Sequence, residues 1–139
     1  MKPLLTVTSF VFLIFTSFSS FSQIVKLQNG FVNLDGKKIM TYQKRNMGNE
    51  ISFYDLNTKE ETIFLITLDK PNVYCNDEKR YTRIVFPTLN KSFDTSRVSF
   101  NTPMIKWLLS NGVIDDSGTI NPEKVDILIL KYDEHLSLN

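Results

Sequence analysis

The sequence predicts an α+β fold in which an antiparallel meander of about five or six strands is followed by a C-terminal helix pair packed on the sheet. Three observations predict it. Short apolar and β-branched segments separated by turn residues fill the chain up to about Phe100. Beyond Asn101 the apolar residues recur at helical spacing. No repeat or Gly/Ser/Pro-rich linker interrupts residues 23–139, so we expect a single domain there.

Turn residues divide the first part of that domain into strands. Asn29-Gly30, Asp35-Gly36 and the polar loop Asn57–Glu61 mark chain reversals, and Pro87 ends a strand. Thr62–Leu68 is nearly all apolar or β-branched, which indicates a central strand. The predicted strands are Ile24–Gln28, Gly30–Leu34, Lys37–Gln43, Ile51–Leu56, Thr62–Leu68 and Tyr81–Phe86, with Arg97–Phe100 as a candidate short edge strand.

Asp35-Gly36 predicts a two-residue type I′ hairpin, because both central residues of that turn must tolerate positive φ. This loop length fixes the cross-strand neighbours. The expected pairs are Val32 with Ile39 and Phe31 with Met40.

The first predicted helix begins and ends with recognisable signals. Thr102 is expected to cap it, with Pro103 at the first helical position, where a missing N–H costs nothing. Asn111-Gly112 then ends it in a Schellman-type turn, with Val113 making the accompanying hydrophobic contact.

The second helix follows the same pattern, with Asn121 as cap and Pro122 at its start. A core-facing stripe at helical spacing comprises Val125, Leu128, Ile129, Tyr132 and Leu136. Ile127 and Leu130 extend the apolar surface and predict that the helix is covered on two sides. The run Val125–Leu130 is also compatible with a strand, but the proline-based start favours the helix.

The N-terminal residues are typical of a secretory signal peptide. Lys2 is followed by an uncharged, largely apolar stretch that reaches Val25, and Ser20 and Ser22 are small residues at positions −3 and −1. We therefore expect residues 1–22 to be removed before Gln23 and the domain to be periplasmic or secreted.

A retained membrane anchor is the alternative, since the uncharged stretch is long enough to span a bilayer. Five Ser and Thr residues between Leu4 and Phe18 disfavour it. Cleavage would leave no stable membrane span.

Composition excludes several classes of protein. The chain of 139 residues is too short for a TIM barrel of roughly 250 residues, and at 42% apolar it is too apolar for a disordered segment. Residues 23–139 hold 15 basic and 15 acidic residues, which gives no reason to expect a nucleic-acid partner. One Cys and one His are too few for a disulfide framework or a Cys/His zinc cage, so we expect no metal and no cofactor.

The charge is unevenly distributed along the domain. Residues 23–112 hold 13 basic and 9 acidic residues, whereas residues 113–139 hold 2 and 6. Because the acidic tail also carries many apolar residues, we expect it to pack against the basic body rather than form a separate docking tail.

No residue pattern predicts catalysis. His135, expected in the last turn of the final helix, has no nucleophile or orienting partner that the sequence identifies. Cys75 is flanked by Asp77 and Glu78, which would raise the pKa of its thiol, whereas catalysis needs a lowered one. Cys75 can stay free, oxidise or pair with another chain.

The segment Asp115–Asp126 resembles a calcium loop but lacks its main features. Ile120 occupies the position that requires Gly, and Asp126 occupies the position of the bidentate Glu. We therefore expect a tight turn in which Asp116 or Ser117 caps backbone amides.

The candidate binding-surface residues are Arg80, Tyr81, Arg83 and Trp107. On a strand, Tyr81 and Arg83 share one face, while Arg80 and Thr82 point the other way. Such interleaved cations and aromatics fit an anion or glycan contact, or an ordinary solvated face on which Arg stacks over Tyr.

Several segments resemble small uncharacterised exported proteins of bacteroidete-type bacteria. They are Phe21-Ser22-Gln23, Gly30–Tyr42, Lys106–Ile114, Ile120–Val125 and Lys131-Tyr132. Twelve Lys against four Arg, twelve Asn and no Ala suit an AT-rich genome of that kind. The resemblance implies export but no activity and no functional residues. The sequence departs from the pattern after Tyr132, where Asp133 stands in place of Gly.

The leading functional hypothesis is a non-catalytic exported module that binds a protein or another component of the cell envelope. The alternative is a carrier that holds an apolar ligand between sheet and helices, suggested by Phe64, Ile66 and Trp107. A third hypothesis is a small hydrolase that uses His135 and acids among Asp35, Asp55, Glu60 and Glu61. The sequence leaves the oligomeric state open.

Overall fold

A computed structural model describes residues 22–71, 80–98 and 101–138. Residues 1–21 of the expected signal peptide, and Cys75, lie outside the described residues. The strands are β1 (Val25–Gln28), β2 (Phe31–Leu34), β3 (Lys37–Arg45), β4 (Glu50–Asp55), β5 (Glu61–Asp69), β6 (Arg80–Phe86) and β7 (Lys91–Thr95). The helices are α1 (Thr102–Ser110) and α2 (Pro122–Tyr132).

The strands form one antiparallel sheet in which each pairs with the next, in the order β1 to β7. The predicted α+β meander followed by two helices is confirmed, with seven strands in the described residues rather than five or six. The predicted edge strand over Arg97–Phe100 is wrong in its described part, where residues 97–98 form a bend. The chain reverses earlier because Asn90 takes a left-handed φ of 52°, which lets β7 begin at Lys91.

The β2–β3 hairpin turns at Asp35 and Gly36, whose φ values of 51° and 82° match the predicted turn. The predicted register holds next to the turn but is wrong further along. The observed pairs are Val32 with Met40 and Phe31 with Thr41. A bulge at Ile39 shifts the register by one residue, so that Ile39 and the following Met40 are both buried.

The loop between the two helices packs against this bulge. Gly118 lies so close to it that an added Cβ would be 2.2 Å from the carbonyl oxygen of Ile39. Only a residue without a side chain fits against β3 at this point.

Helix α1 begins one residue earlier than predicted. Asn101, with φ 72°, is the N-cap residue and its side chain makes no capping bond, and Thr102 is the first residue of the helix. The C-terminus matches the prediction: Gly112 N–H donates to Leu109 O and Val113 N–H to Leu108 O, both at 3.0 Å.

Helix α2 spans the run that was also compatible with a strand. Asn121 Oδ1 accepts the Lys124 N–H at 3.2 Å, which confirms the predicted cap. The helix ends at Tyr132 because Asp133 is extended, so Leu136 lies beyond it.

One stripe of α2 packs on the core. Val125 and Leu128 are buried, and Ile129 and Tyr132 are half-buried. Ile127 and Leu130 are exposed, so the described part of the chain does not provide the predicted second covering.

The core lies between the inner face of the sheet and the two helices. Helix α1 contacts β1 and α2 contacts β7, so the two edges of the sheet meet the same helix pair and the sheet curls around it. The largest fully buried side chains include Ile51, Phe53, Ile63, Leu65, Ile84, Phe86, Met104, Ile105 and Leu108.

The acidic C-terminal segment packs against the body, as expected. Its residues 133–137 run beside β7: Glu134 N–H donates to Asp94 O at 2.9 Å, and Asp94 N–H donates to Asp133 Oδ1 at 3.2 Å. Lys91 forms an ion pair with Asp126 on α2. The segment thereby covers the β7 edge.

Within residues 22–71, 80–98 and 101–138, neither helix has the length and apolar character needed to cross a bilayer.

Candidate functional site

A surface cavity of about 370 Å³ opens where β5, β6 and β7 meet the β3–β4 loop. We call it the threonine cleft. Its polar lining residues include Thr67, Thr82, Thr95, Ser96, Arg80 and Arg97.

The three threonines belong to one cross-strand row. Thr67 on β5 lies opposite Thr82 on β6, which lies opposite Thr95 on β7. Neighbouring strands are roughly 4.8 Å apart, so the row repeats a hydroxyl group at about that spacing. Thr82 and Thr95 are buried, on the same face as the core residues Leu65 and Ile84. At this end of the sheet, the inner face therefore carries hydroxyl groups instead of apolar side chains.

Two arginines flank the row. Arg80 begins β6, is 69% exposed and lies 3.9 Å from an Asp69 carboxylate oxygen. Arg97 follows β7, where its N–H donates to Thr95 Oγ1 at 3.2 Å. Among the described residues, the Arg97 guanidinium makes no ion pair, and the nearest acid in the hydrogen-bond network is Glu134, whose carboxylate accepts from the N–H and hydroxyl of the neighbouring Ser96.

The β3–β4 loop forms the opposite wall. Asn49 N–H donates to Asn46 O at 3.1 Å, and Asn49 O accepts the Thr67 N–H at 2.9 Å, which ties the loop to β5. Met47 stands fully exposed at the loop tip with φ 55°. The wall is thus held by backbone hydrogen bonds.

The predicted cationic and aromatic residues on β6 separate between two faces. Tyr81 lies opposite Leu68 and Arg83 opposite Ile66, so those two share the outer face as predicted. Arg80 lies on the other face with Thr82, also as predicted. Arg80 and Tyr81 line the threonine cleft, and Arg83 does not.

Arg83 is engaged in an ion pair on the outer face. Its Nε–H donates to Asp94 Oδ1 at 2.9 Å. Burial by itself raises the pKa of Asp94, but hydrogen bonds from Arg83 and Ser137 outweigh it and hold the pKa below its ordinary value. The same hydrogen bond raises the pKa of Arg83.

Trp107 lies outside the threonine cleft and belongs to the packing between helices and sheet. Its ring centroid is 6.3 Å from that of Phe93 and 5.1 Å from that of Tyr132. This aromatic cluster, of a buried Phe93 and half-buried Trp107 and Tyr132, joins α1, α2 and β7.

Phe64 and Ile66, which suggested an apolar ligand between sheet and helices, lie on the outer face. Phe64 pairs with Ser52 and Val85, and Ile66 pairs with Arg83. Both side chains therefore point away from the helix pair.

Two acids of the hydrolase hypothesis, Asp35 and Asp55, are engaged at turns, whereas Glu61 begins β5 beside Arg45. Asp35 Oδ1 accepts the Ile24 N–H at 2.8 Å, and Asp55 Oδ1 accepts the backbone N–H groups of Asn57 and Thr58 at 2.8 Å. The bonds from Thr58 and Asn57 lower the pKa of Asp55.

His135 lies elsewhere, on the C-terminal segment rather than in the last turn of α2 as predicted. The chain leaves the helix at Asp133, and His135 takes φ 50°. Its side chain is 68% exposed, with Nδ1 3.1 Å from Asp133 Oδ2.

The calcium-like segment forms the predicted turn, with a different residue in the capping role. Asp115 Oδ1, rather than Asp116 or Ser117, accepts the N–H groups of Ser117 at 2.8 Å and Thr119 at 2.9 Å. The hydroxyl of Ser117 is the main cause of the lowered pKa of Asp115. No cluster of three or more His, Cys, Asp or Glu suited to a metal occurs in the described ranges.

Sequence reasoning found Arg80 and Tyr81 and missed Arg97, Thr67 and Thr95. No local sequence signal marks these threonines as a set, because they come together only when three strands pair in the observed register. As a set, the cleft offers guanidinium donors and hydroxyl groups, which hydrogen-bond oxyanions and hydroxylated ligands.

No known protein family, curated protein or solved structure matches this chain.

Proposed function

We propose that this protein is a non-catalytic, exported binding module of the cell envelope, and that its threonine cleft binds an oxyanion group of the partner. The observation that carries the proposal is the threonine row flanked by Arg80 and Arg97. The resemblance to exported bacteroidete-type proteins and the signal-like residues 1–22 support the location.

The chemistry of the lining favours an oxyanion. A guanidinium group can donate two parallel hydrogen bonds to a carboxylate or a phosphate, and these charge-assisted bonds are stronger than neutral ones. The half-buried Thr67 adds a hydroxyl donor that can rotate to suit the ligand, whereas Thr82 and Thr95 are buried beneath it. Because Asp69 lies near Arg80, Arg97 provides the larger share of the attraction.

The volume of the cleft, about 370 Å³, fits a small chemical group, since small-molecule sites usually measure roughly 300–1,000 Å³. Its described lining residues include no carboxylate, imidazole or thiol that could act as general base or nucleophile. The lining therefore favours binding over turnover.

The carrier hypothesis has less support than the oxyanion site. Phe64 and Ile66 face away from the helices, and Trp107 packs between Phe93 and Tyr132. The hydrolase hypothesis also has less support, because Asp35 and Asp55 are engaged at turns and His135 lies on a different segment.

The test is an NMR titration of the purified protein with inorganic phosphate and, separately, with acetate. We expect shifts at the backbone amides of Thr82, Thr95 and Arg97. Arg97→Gln should weaken binding about tenfold, since a hydrogen bond to a charged group contributes about 1.5–3 kcal/mol. The two anions distinguish a phosphorylated partner from a carboxylated one.

Lys106→Gln is the matched control, because Lys106 is exposed on α1 and lies outside the cleft. It should leave the dissociation constants for both anions unchanged. Shifts that are absent with both anions, or that persist undiminished in Arg97→Gln, would contradict the oxyanion site.

Export has its own test. Intact mass measurement of the protein recovered from the envelope of its native cells should give a chain that begins at Gln23. A full-length mass in the membrane fraction would instead support the retained anchor.

A further inference from the structure

A second cavity, of about 500 Å³, lies on the outer face of β1, β2 and β3. Two cross-strand rows build its floor. Lys26, Asn33 and Lys38 form one row, and Gln28 and Phe31 belong to the next. Ile24, 59% exposed, stands at one end. We call this cavity the hairpin groove.

Two lysines give the hairpin groove a positive charge. Lys26 and Lys38 stand on the two strands that flank Asn33, so their backbones are roughly 10 Å apart. Neither makes an ion pair within the described part of the chain. Asp35, at the rim, uses one carboxylate oxygen to accept the Ile24 N–H.

The remaining lining combines an aromatic ring with amides. The Lys38 Nζ lies 3.9 Å from the centroid of the Phe31 ring, so an anion paired with Lys38 is brought beside that ring. Asn33 Nδ2 is 3.5 Å from Phe31 O, which leaves Asn33 Oδ1 for another donor. Gln28 is exposed beside it with both its donor and its acceptor.

We propose that the hairpin groove binds an acidic saccharide. The carboxylate of the sugar pairs with Lys26 or Lys38, its hydroxyls exchange hydrogen bonds with Asn33 and Gln28, and its apolar ring face packs beside Phe31. Lysines without acidic partners favour a charged sugar over a neutral one, and the amides favour a hydroxylated ligand over a simple anion. This site is separate from the threonine cleft and does not depend on it.

The experiment is an NMR titration with trigalacturonate, which carries three carboxylates, and with maltotriose, which is neutral and of equal length. Trigalacturonate should shift the amides of Lys26, Phe31, Asn33 and Lys38, and maltotriose should bind more weakly. Lys26→Gln and Lys38→Gln should each weaken trigalacturonate binding about two- to fivefold, as expected for exposed ion pairs. Added salt should weaken it as well.

Two comparisons make the result decisive. Arg97→Gln removes the main cation of the threonine cleft and should leave the trigalacturonate-induced shifts at the amides of Lys26 and Lys38 unchanged, so failure at one site is distinguishable from failure at the other. A tri-glutamate peptide of the same charge should bind more weakly than the sugar. Equal binding of the peptide or of maltotriose, shifts confined to the threonine cleft, or no binding at millimolar sugar would each overturn the proposal.

Discussion

Arg83 and Asp94 face each other on neighbouring strands, and the Arg83 Nε–H donates to Asp94 Oδ1 at 2.9 Å. The other carboxylate oxygen of Asp94 accepts the Ser137 N–H at 2.8 Å. Asp94 is 2% exposed. One buried carboxylate thus joins β6, β7 and the C-terminal segment, and its charge is satisfied by partners from both sides.

Acid should weaken this junction. The pKa of Asp94 is lowered in the folded protein, so its stabilising effect is complete above the ordinary carboxyl pKa of about 4 and is lost as the pH falls through the lower folded value. Urea unfolding between pH 7 and pH 2 should show this loss. Asp55 and Asp115, whose pKa values are also lowered, contribute in the same direction.

Asp94→Asn isolates the contribution of the buried charge. At pH 7 it should destabilise the protein by about 2–3 kcal/mol, because the bond from Arg83 loses its charge and the single amide oxygen cannot serve both Arg83 and Ser137, and it should flatten part of the acid dependence. Asp126→Asn, in the exposed pair with Lys91, is the control and should cost less than about 1 kcal/mol. Equal losses in the two variants would contradict the assignment.

Gly118→Ala should be strongly destabilising. Its Cβ would stand 2.2 Å from Ile39 O and 3.0 Å from Met40 Cγ, so the helix loop must move off the β3 bulge. We expect a loss of about 3 kcal/mol from overpacking and backbone strain, measured by thermal or urea unfolding.

Gly36 provides a matched control because it has the same φ of 82° and no atom within 4 Å of an added Cβ. Gly36→Ala should cost about 1 kcal/mol, from backbone strain alone. If both variants lose the same stability, the contact between Gly118 and Ile39 contributes nothing.

The helix ends were predictable from sequence because they depend on local interactions. The Asn121 side chain caps an N–H three residues away, and Gly112 closes α1 through bonds that span only a few residues. The same reasoning misplaced the start of α1, because Asn101 takes a positive φ that no local preference required.

The β2–β3 register was not predictable from local residues, because the residue that packs on its bulge lies far along the chain. The turn at Asp35-Gly36 fixes only the first pairs, whereas the bulge at Ile39 lies against Gly118 from the loop between the helices. The threonine cleft was likewise not predictable from local sequence. Thr67, Thr82 and Thr95 are ordinary strand residues until pairing places them in one row.

On α2, truncation of Leu128 should destabilise the protein strongly, whereas truncation of Leu130 should have little effect. Leu128 is 2% exposed and belongs to the core, so Leu128→Ala should destabilise the protein by about 3 kcal/mol. Leu130 is 87% exposed, so Leu130→Ala should change stability by less than about 0.5 kcal/mol in urea unfolding. A large loss in Leu130→Ala would show that a second molecule covers this face.

Trp107 should report whether helices and sheet unfold together. It is the only tryptophan in the chain and packs against Phe93 of the sheet and Tyr132 of α2. In a single cooperative domain, its fluorescence and the far-UV circular dichroism should change at the same urea concentration. Fluorescence loss at lower urea would show that the helix pair separates from the sheet first.

Trp107→Ala should lower the free energy of unfolding by about 3 kcal/mol, whereas Trp107→Phe, which keeps an aromatic ring beside Phe93, should lower it by about 1 kcal/mol.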